Sequence, residues 1–106
     1  TLAMDRLHPM LAAQADALHP AVLRLIRMVV DAARPEDVWV GVCGGIAGDP
    51  EGALILSGLG VDELSMSIPA VGAVKARLRN VSMADARRLA ERALACSTAD
   101  DVRALL

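Results

Sequence analysis

The chain has 106 residues, a formal net charge of -2, a hydrophobic share of 55% and a single aromatic residue, Trp39. That hydrophobic share excludes a disordered chain, and two cysteines are too few for a disulfide scaffold. The charge balance excludes a basic nucleic-acid footprint, the lone aromatic excludes a stacking platform for single strands, and charges and prolines break every apolar run before the ~20 residues of a membrane helix.

The chain starts at Thr1 with no Met, and Thr1-Leu2-Ala3-Met4 is abruptly apolar. Leu2 to Met4 reads as the end of a strand, and the start reads as a cut from something longer. No secretory leader is visible. With two unpaired-looking cysteines, this points to a reducing cytoplasm. Residues 5–20 are loop-like, broken by His8-Pro9 and His19-Pro20, with an Ala-rich stretch from Leu11 to Leu18 that fits a short helix.

Pro20 suits the first position of a helix. Val22, Leu25, Ile26, Val29 and Ala33 then recur at helical spacing, and Pro35 ends the helix near Arg34. Val38-Trp39-Val40-Gly41-Val42 is a short β-branched run and predicts a buried strand. Asp49-Pro50 is a helix start, with Asp as cap and Pro in the first turn. The helix over 51–57 stops at Gly58 or Gly60. Val61 to Ser65 predicts the next strand, and Pro69 opens a helix to about Arg79. Ser82 with Asp85, and Thr98 with Asp101, are two helix-start signatures before the terminal Val102 to Leu106.

The order is strand, helix, strand, helix, strand, helix, then extra helices. Such alternation predicts βαβ units and a parallel sheet, with strands buried on both faces. A doubly wound sheet and a (β/α)₈ barrel both fit. A barrel takes roughly 250 residues, so three units would supply its last three-eighths.

In either architecture, active sites lie at the carboxyl ends of the strands. That rule selects Asp5 and Arg6, then Cys43 to Gly45, then Ser65 to Ser67, all opening onto one face. Cys43 reads either as a small apolar core residue or as a functional thiol. The strand-end position and the two following glycines, which let a ligand approach the backbone, favour function. A thiol donates a proton or, deprotonated, attacks as a nucleophile; no His at a helpful spacing supports a Cys-His pair. Arg6 reads as a fixed cation for phosphate or carboxylate, or as a surface arginine paired with an acid. Asp49 reads as a cap, His8 and His19 as structural, and Lys75, Arg77 and Arg79 as cations suited to a helix end. No metal-ligand spacing is visible.

The stretch Gly41-Val42-Cys43-Gly44-Gly45-Ile46-Ala47-Gly48-Asp49 resembles the cysteine signature of Enzyme I of the bacterial sugar phosphotransferase system, the phosphoenolpyruvate–protein phosphotransferases. Thr1 to Arg6 resembles the segment after that family's sixth barrel strand. Gly58 to Ser67 resembles its eighth strand, and Ser82 to Leu106 its tail. The resemblance implies that residues 1–106 are the C-terminal part of a phosphoenolpyruvate-binding (β/α)₈ barrel, about the last three strand–helix units plus terminal helices. It implies Cys43 as proton donor to the enolate carbon, and Arg6 and Gly44 as substrate-binding residues. It implies Mg²⁺ in the full-length parent with ligands outside this chain, a histidine-containing phosphocarrier protein as partner, a homodimer, and inactivity of this portion alone. One departure is Gly45, where the family usually has Glu; the Gly form fits multidomain, fructose-linked members. A barrel piece of pyruvate phosphate dikinase or phosphoenolpyruvate synthase, and a non-catalytic dimerisation module, are the alternatives.

Overall fold

The computed structural model describes residues 1–5, 7–12 and 14–106. A short helix α1 (Pro9–Ala12) leads through bonded turns to α2 (Pro20–Ala33), which runs into a 3-10 turn at Arg34–Glu36. Strand β1 (Gly41–Val42) is followed by α3 (Gly45–Gly48) and α4 (Pro50–Leu59). Strand β2 (Glu63–Leu64), α5 (Ile68–Arg79), α6 (Met83–Ala95) and α7 (Ala99–Arg103) complete the chain.

Pro20, Asp49 and Thr98 act as read. The two histidines, read as structural residues beside breakers, instead accept backbone amides at helix starts, and the short helix read over Leu11 to Leu18 is found at Pro9–Ala12. His19 caps α2 through Nδ1, which accepts from the Ala21 amide at 3.2 Å, and Pro20 fills the first turn. His8 accepts from the Met10 amide in the same way. Asp49 caps α4 by accepting from the Glu51 amide. Thr98 and Asp101 form a complete capping box. That box starts α7 directly after Thr98, earlier than the apolar residues alone suggested.

Helix α4 is the centre of the molecule, with seven of its ten residues buried. Ile55, Leu56 and Leu59 pack with Leu18, Leu23, Val102 and the alanines Ala90 and Ala93 of α6. A Cβ on Gly58 would overlap the Ala86 carbonyl, so glycine sets the close approach of α4 to α6. Three polar links tie the outer elements. Arg77 of α5 pairs with Glu51 of α4 at 2.9 Å, and Arg27 of α2 with Glu91 of α6 at 2.9 Å. Arg24 donates to the Leu94 and Cys96 carbonyls at the end of α6, where a cation suits the macrodipole.

The two strands pair in parallel, Gly41 with Glu63 and Val42 with Leu64, and α3 and α4 form the crossover. The chain is thus α/β, mostly helical, with one βαβ unit. Three expectations are corrected among the described residues. There are two strands, not three: Leu2 to Met4 carries no ladder, and Ala3 takes a left-handed φ of 52°. Both strands are two residues long rather than five. They are also not buried on both faces: Gly41 and Glu63 are exposed, and so are Val38 and Trp39 before β1. The cause is common. Each strand has one partner, so one edge stays unpaired and pairing fades where no second neighbour holds the backbone extended.

Candidate functional site at the strand ends

Both strands deliver their carboxyl ends to one place. After Val42 the chain enters Cys43, whose side chain is exposed and unbridged. Gly44 then reverses the backbone with φ 98° and ψ -177°. That conformation is essentially restricted to glycine. Helix α3 follows at once, and two bonds close the turn: the Ala47 amide donates to the Gly44 carbonyl at 3.1 Å, and the Asp49 amide to the Gly45 carbonyl at 3.0 Å.

Strand β2 arrives beside it. The Ser65 amide donates to the Val42 carbonyl at 2.8 Å, which sets Ser65 next to Cys43 across the ladder's end. Ser67 then precedes α5, its carbonyl accepting from the Ala70 amide. Between the two strand ends lies an open cleft of about 520 Å³, lined by Cys43, Gly44, Gly45, Ser65, Met66 and Ser67 together with the small residues Gly48 and Ala70. A Cβ on Gly48 would lie in ordinary contact, 3.5 Å from those of Met66 and Ala70.

Two of the three predicted strand-end sites therefore meet. The third does not join them among the described residues. Asp5 is exposed and folded into a local turn, its Oδ1 accepting from the Leu7 amide at 2.8 Å. Arg6 lies outside the described residues. The core reading of Cys43 is overturned by its exposure. Met66 lies within the Ser65 to Ser67 segment that the strand-end rule selects, whereas Gly48 and Ala70 lie outside every predicted segment; the signal for Gly48 was positional, one turn beyond the glycine pair.

The cleft is chemically sparse. It offers a thiol, two hydroxyls and exposed glycine backbone, and none of its lining residues is charged. No cluster of three or more His, Cys, Asp or Glu suited to a metal occurs among the described residues. Such a lining can offer a proton donor and close approach to backbone, and it holds no charge for an anion. No helix among the described residues is long and apolar enough to cross a membrane.

Comparison with known proteins fits this geometry. The family described as PEP-utilising enzyme, PEP-binding domain (PEP being phosphoenolpyruvate), matches residues 1–83. A multiphosphoryl transfer protein of Rhodobacter capsulatus is 67% identical over 98% of this chain and 13% of its own length. The phosphoenolpyruvate-protein phosphotransferase of Haemophilus influenzae is 42% identical over 100% of this chain and 18% of its own. That of Haloferax volcanii is 47% identical over 99% and 19%. The chain thus spans less than a fifth of the length of these relatives. The match over 83 of 106 residues, cleft included, places this chain in the family of phosphoenolpyruvate-utilising enzymes, within the phosphoenolpyruvate-binding domain.

Proposed function

We propose that residues 1–106 are the C-terminal part of the phosphoenolpyruvate-binding (β/α)₈ barrel of a phosphoenolpyruvate-protein phosphotransferase. The observation that carries this reading is Cys43: a free, exposed thiol at a strand's carboxyl end, facing a cleft shared with the next strand's end. The 67% and 62% identities to proteins named multiphosphoryl transfer protein support a multidomain parent.

In this reading phosphoenolpyruvate gives its phosphoryl group to a histidine elsewhere in the parent. Cleavage of the P–O bond leaves the enolate of pyruvate. The Cys43 thiol transfers its proton to C3 of that enolate; the C–H bond forms, the enolate oxygen becomes the ketone, and the thiolate regains a proton from water. The Gly44 backbone allows the substrate to lie against the turn. Arg6 supplies the cation that the cleft itself lacks, as a guanidinium fork for the phosphate. The phosphoryl group then passes to the histidine-containing phosphocarrier protein for sugar uptake, in a cytoplasmic homodimer.

The resemblance also implies Mg²⁺. A hard cation of this kind takes oxygen ligands, commonly carboxylates, and the cleft lining holds no carboxylate. The residues present do not form its site, so its ligands are assigned to the rest of the parent and no step here runs through it.

Replacing Cys43 with Ala in the full-length protein tests the reading. Turnover of phosphoenolpyruvate should fall by about 10²–10⁴, the span of a general acid's contribution. Phosphoryl exchange between the enzyme histidine and the carrier protein should persist, since it needs no carbon protonation. Loss of both activities, or of neither, would overturn the assignment of Cys43.

A further inference from the structure

We propose that Arg103, in the tail helix α7, is a positioning residue that holds the Cys43–Gly45 turn in place through Asp49 and Asp16. This rests on the function proposed for Cys43. It also concerns a segment beyond the matched region, which ends at residue 83.

The link starts at the turn itself. Asp49 is bonded by its amide to Gly45, two residues after Cys43, and its carboxylate caps α4. The same carboxylate lies 3.9 Å from Nη1 of Arg103. The remaining edge of that guanidinium is committed to Asp16, with Nε 2.6 Å from Oδ2 and Nη2 3.1 Å from Oδ1. Asp16 also accepts from the amide of Leu18, a core residue. One cation thus joins three segments far apart in sequence: the approach to α2, the turn behind Cys43, and the tail.

The cation is itself well anchored. Its neighbour Val102 is fully buried in the core, and the capping box fixes the start of α7. Gly45, Ile46, Asp49, Asp16 and Arg103 line one open hollow of about 490 Å³, together with Leu18 and small alanines. Ile46 and Ala47 anchor the turn on the core side, and on the hollow's side the Asp49–Arg103–Asp16 ion pairs link it to the tail and to the approach to α2. Burial raises the Asp16 carboxyl pKa, but the Arg103 bond and the Leu18 amide outweigh it and hold the group below its ordinary value. Without the arginine, the Asp16 and Asp49 carboxylates would line the same hollow without its charge, and the Gly45–Asp49 turn would lose its link to the tail.

The experiment uses the full-length protein with Arg103→Met, Arg103→Lys and Asp49→Asn. Asparagine still caps a helix, so the last variant removes the charge link and keeps α4. Arg103→Met should lower kcat for phosphoenolpyruvate about tenfold with KM within about twofold, inside the ~10² that a misplacement of about 1 Å costs. Lysine keeps the charge but loses the fork, and should restore most of kcat. Hydrogen exchange should quicken about tenfold at the Ala47 and Asp49 amides while the α6 amides stay unchanged, as for a local opening. Asp49→Asn should reproduce both effects and add nothing to Arg103→Met.

Unchanged exchange at Ala47 and Asp49 in both the Arg103→Met and Asp49→Asn variants would overturn the proposal. So would exchange accelerated throughout the core, which would mark Arg103 as a general stabiliser. If Arg103→Met does not fold, Asp49→Asn alone decides. Exchange reads the turn whatever the reaction is: if Cys43→Ala keeps its turnover, the function falls while the positioning role is still judged.

Discussion

At the scale of single residues, the site depends on one backbone conformation. Gly44 stands at φ 98°, ψ -177° with nothing within 4 Å of where its Cβ would be. Space is therefore not the constraint; the torsion angles are. Asparagine often rescues a left-handed position near ψ 40°, but this extended positive-φ region is open essentially to glycine alone. Gly44→Ala and Gly44→Asn should therefore both cost about 1–3 kcal/mol, measured by denaturant titration, and both should disable turnover by swinging Cys43 away from Ser65. An asparagine variant as stable and active as the parent would show that the turn is not held as described.

At the scale of elements, the α4–α6 contact is the main structural joint, and it is built on absence of side chain. Gly58 accepts no Cβ without meeting the Ala86 carbonyl, and Ala90 stands next to it. Backbone cannot yield as a flexible side chain does. Gly58→Ala should destabilise by about 1–3 kcal/mol, the range of overpacking in a filled core, even though alanine is the better helix former. A more stable Gly58→Ala protein in thermal melts would mean that the helices separate easily. The sequence showed Gly58 only as a stop signal, because helix-breaking chemistry is local and close packing is not.

The same division explains the rest of what was legible. Caps and breakers act within three or four residues, so His19-Pro20, Asp49-Pro50, Ser82 and Thr98 mark helix starts correctly. The cleft was legible because carboxyl ends of parallel neighbours converge by topology alone. Strand extent was not: Val38 to Val42 has the composition of a buried strand, but only Gly41–Val42 finds a partner. Arg103 was not singled out either. Its bond to Asp16 joins positions 87 apart in sequence, and no spacing rule reaches that far.

At the scale of the whole molecule, the unpaired side of the sheet decides behaviour in solution. The outer face of α2 shows Leu25 at 46%, Met28 at 66% and Val29 at 56% exposure. With Val22, Ile26, Val40 and Val42 it borders an apolar hollow beside β1. Val38 and Trp39 continue the apolar surface towards the strand's start. Exposed apolar surface beside a free strand edge is where chains associate. In the much longer relatives other segments are available to cover it; for the 106-residue chain alone, the available cover is a second copy. The isolated chain should therefore sediment as a dimer or larger at ~100 μM, within the range where such edges associate. Trp39 emission should shift to the blue as its indole leaves water. Paired charges at Leu25→Lys and Val29→Lys should restore the monomer without unfolding α2, since both side chains already face outward. A monomer at that concentration in the unmodified chain, with Trp39 still solvated, would show that the α2 face and the β1 edge stay satisfied by water alone.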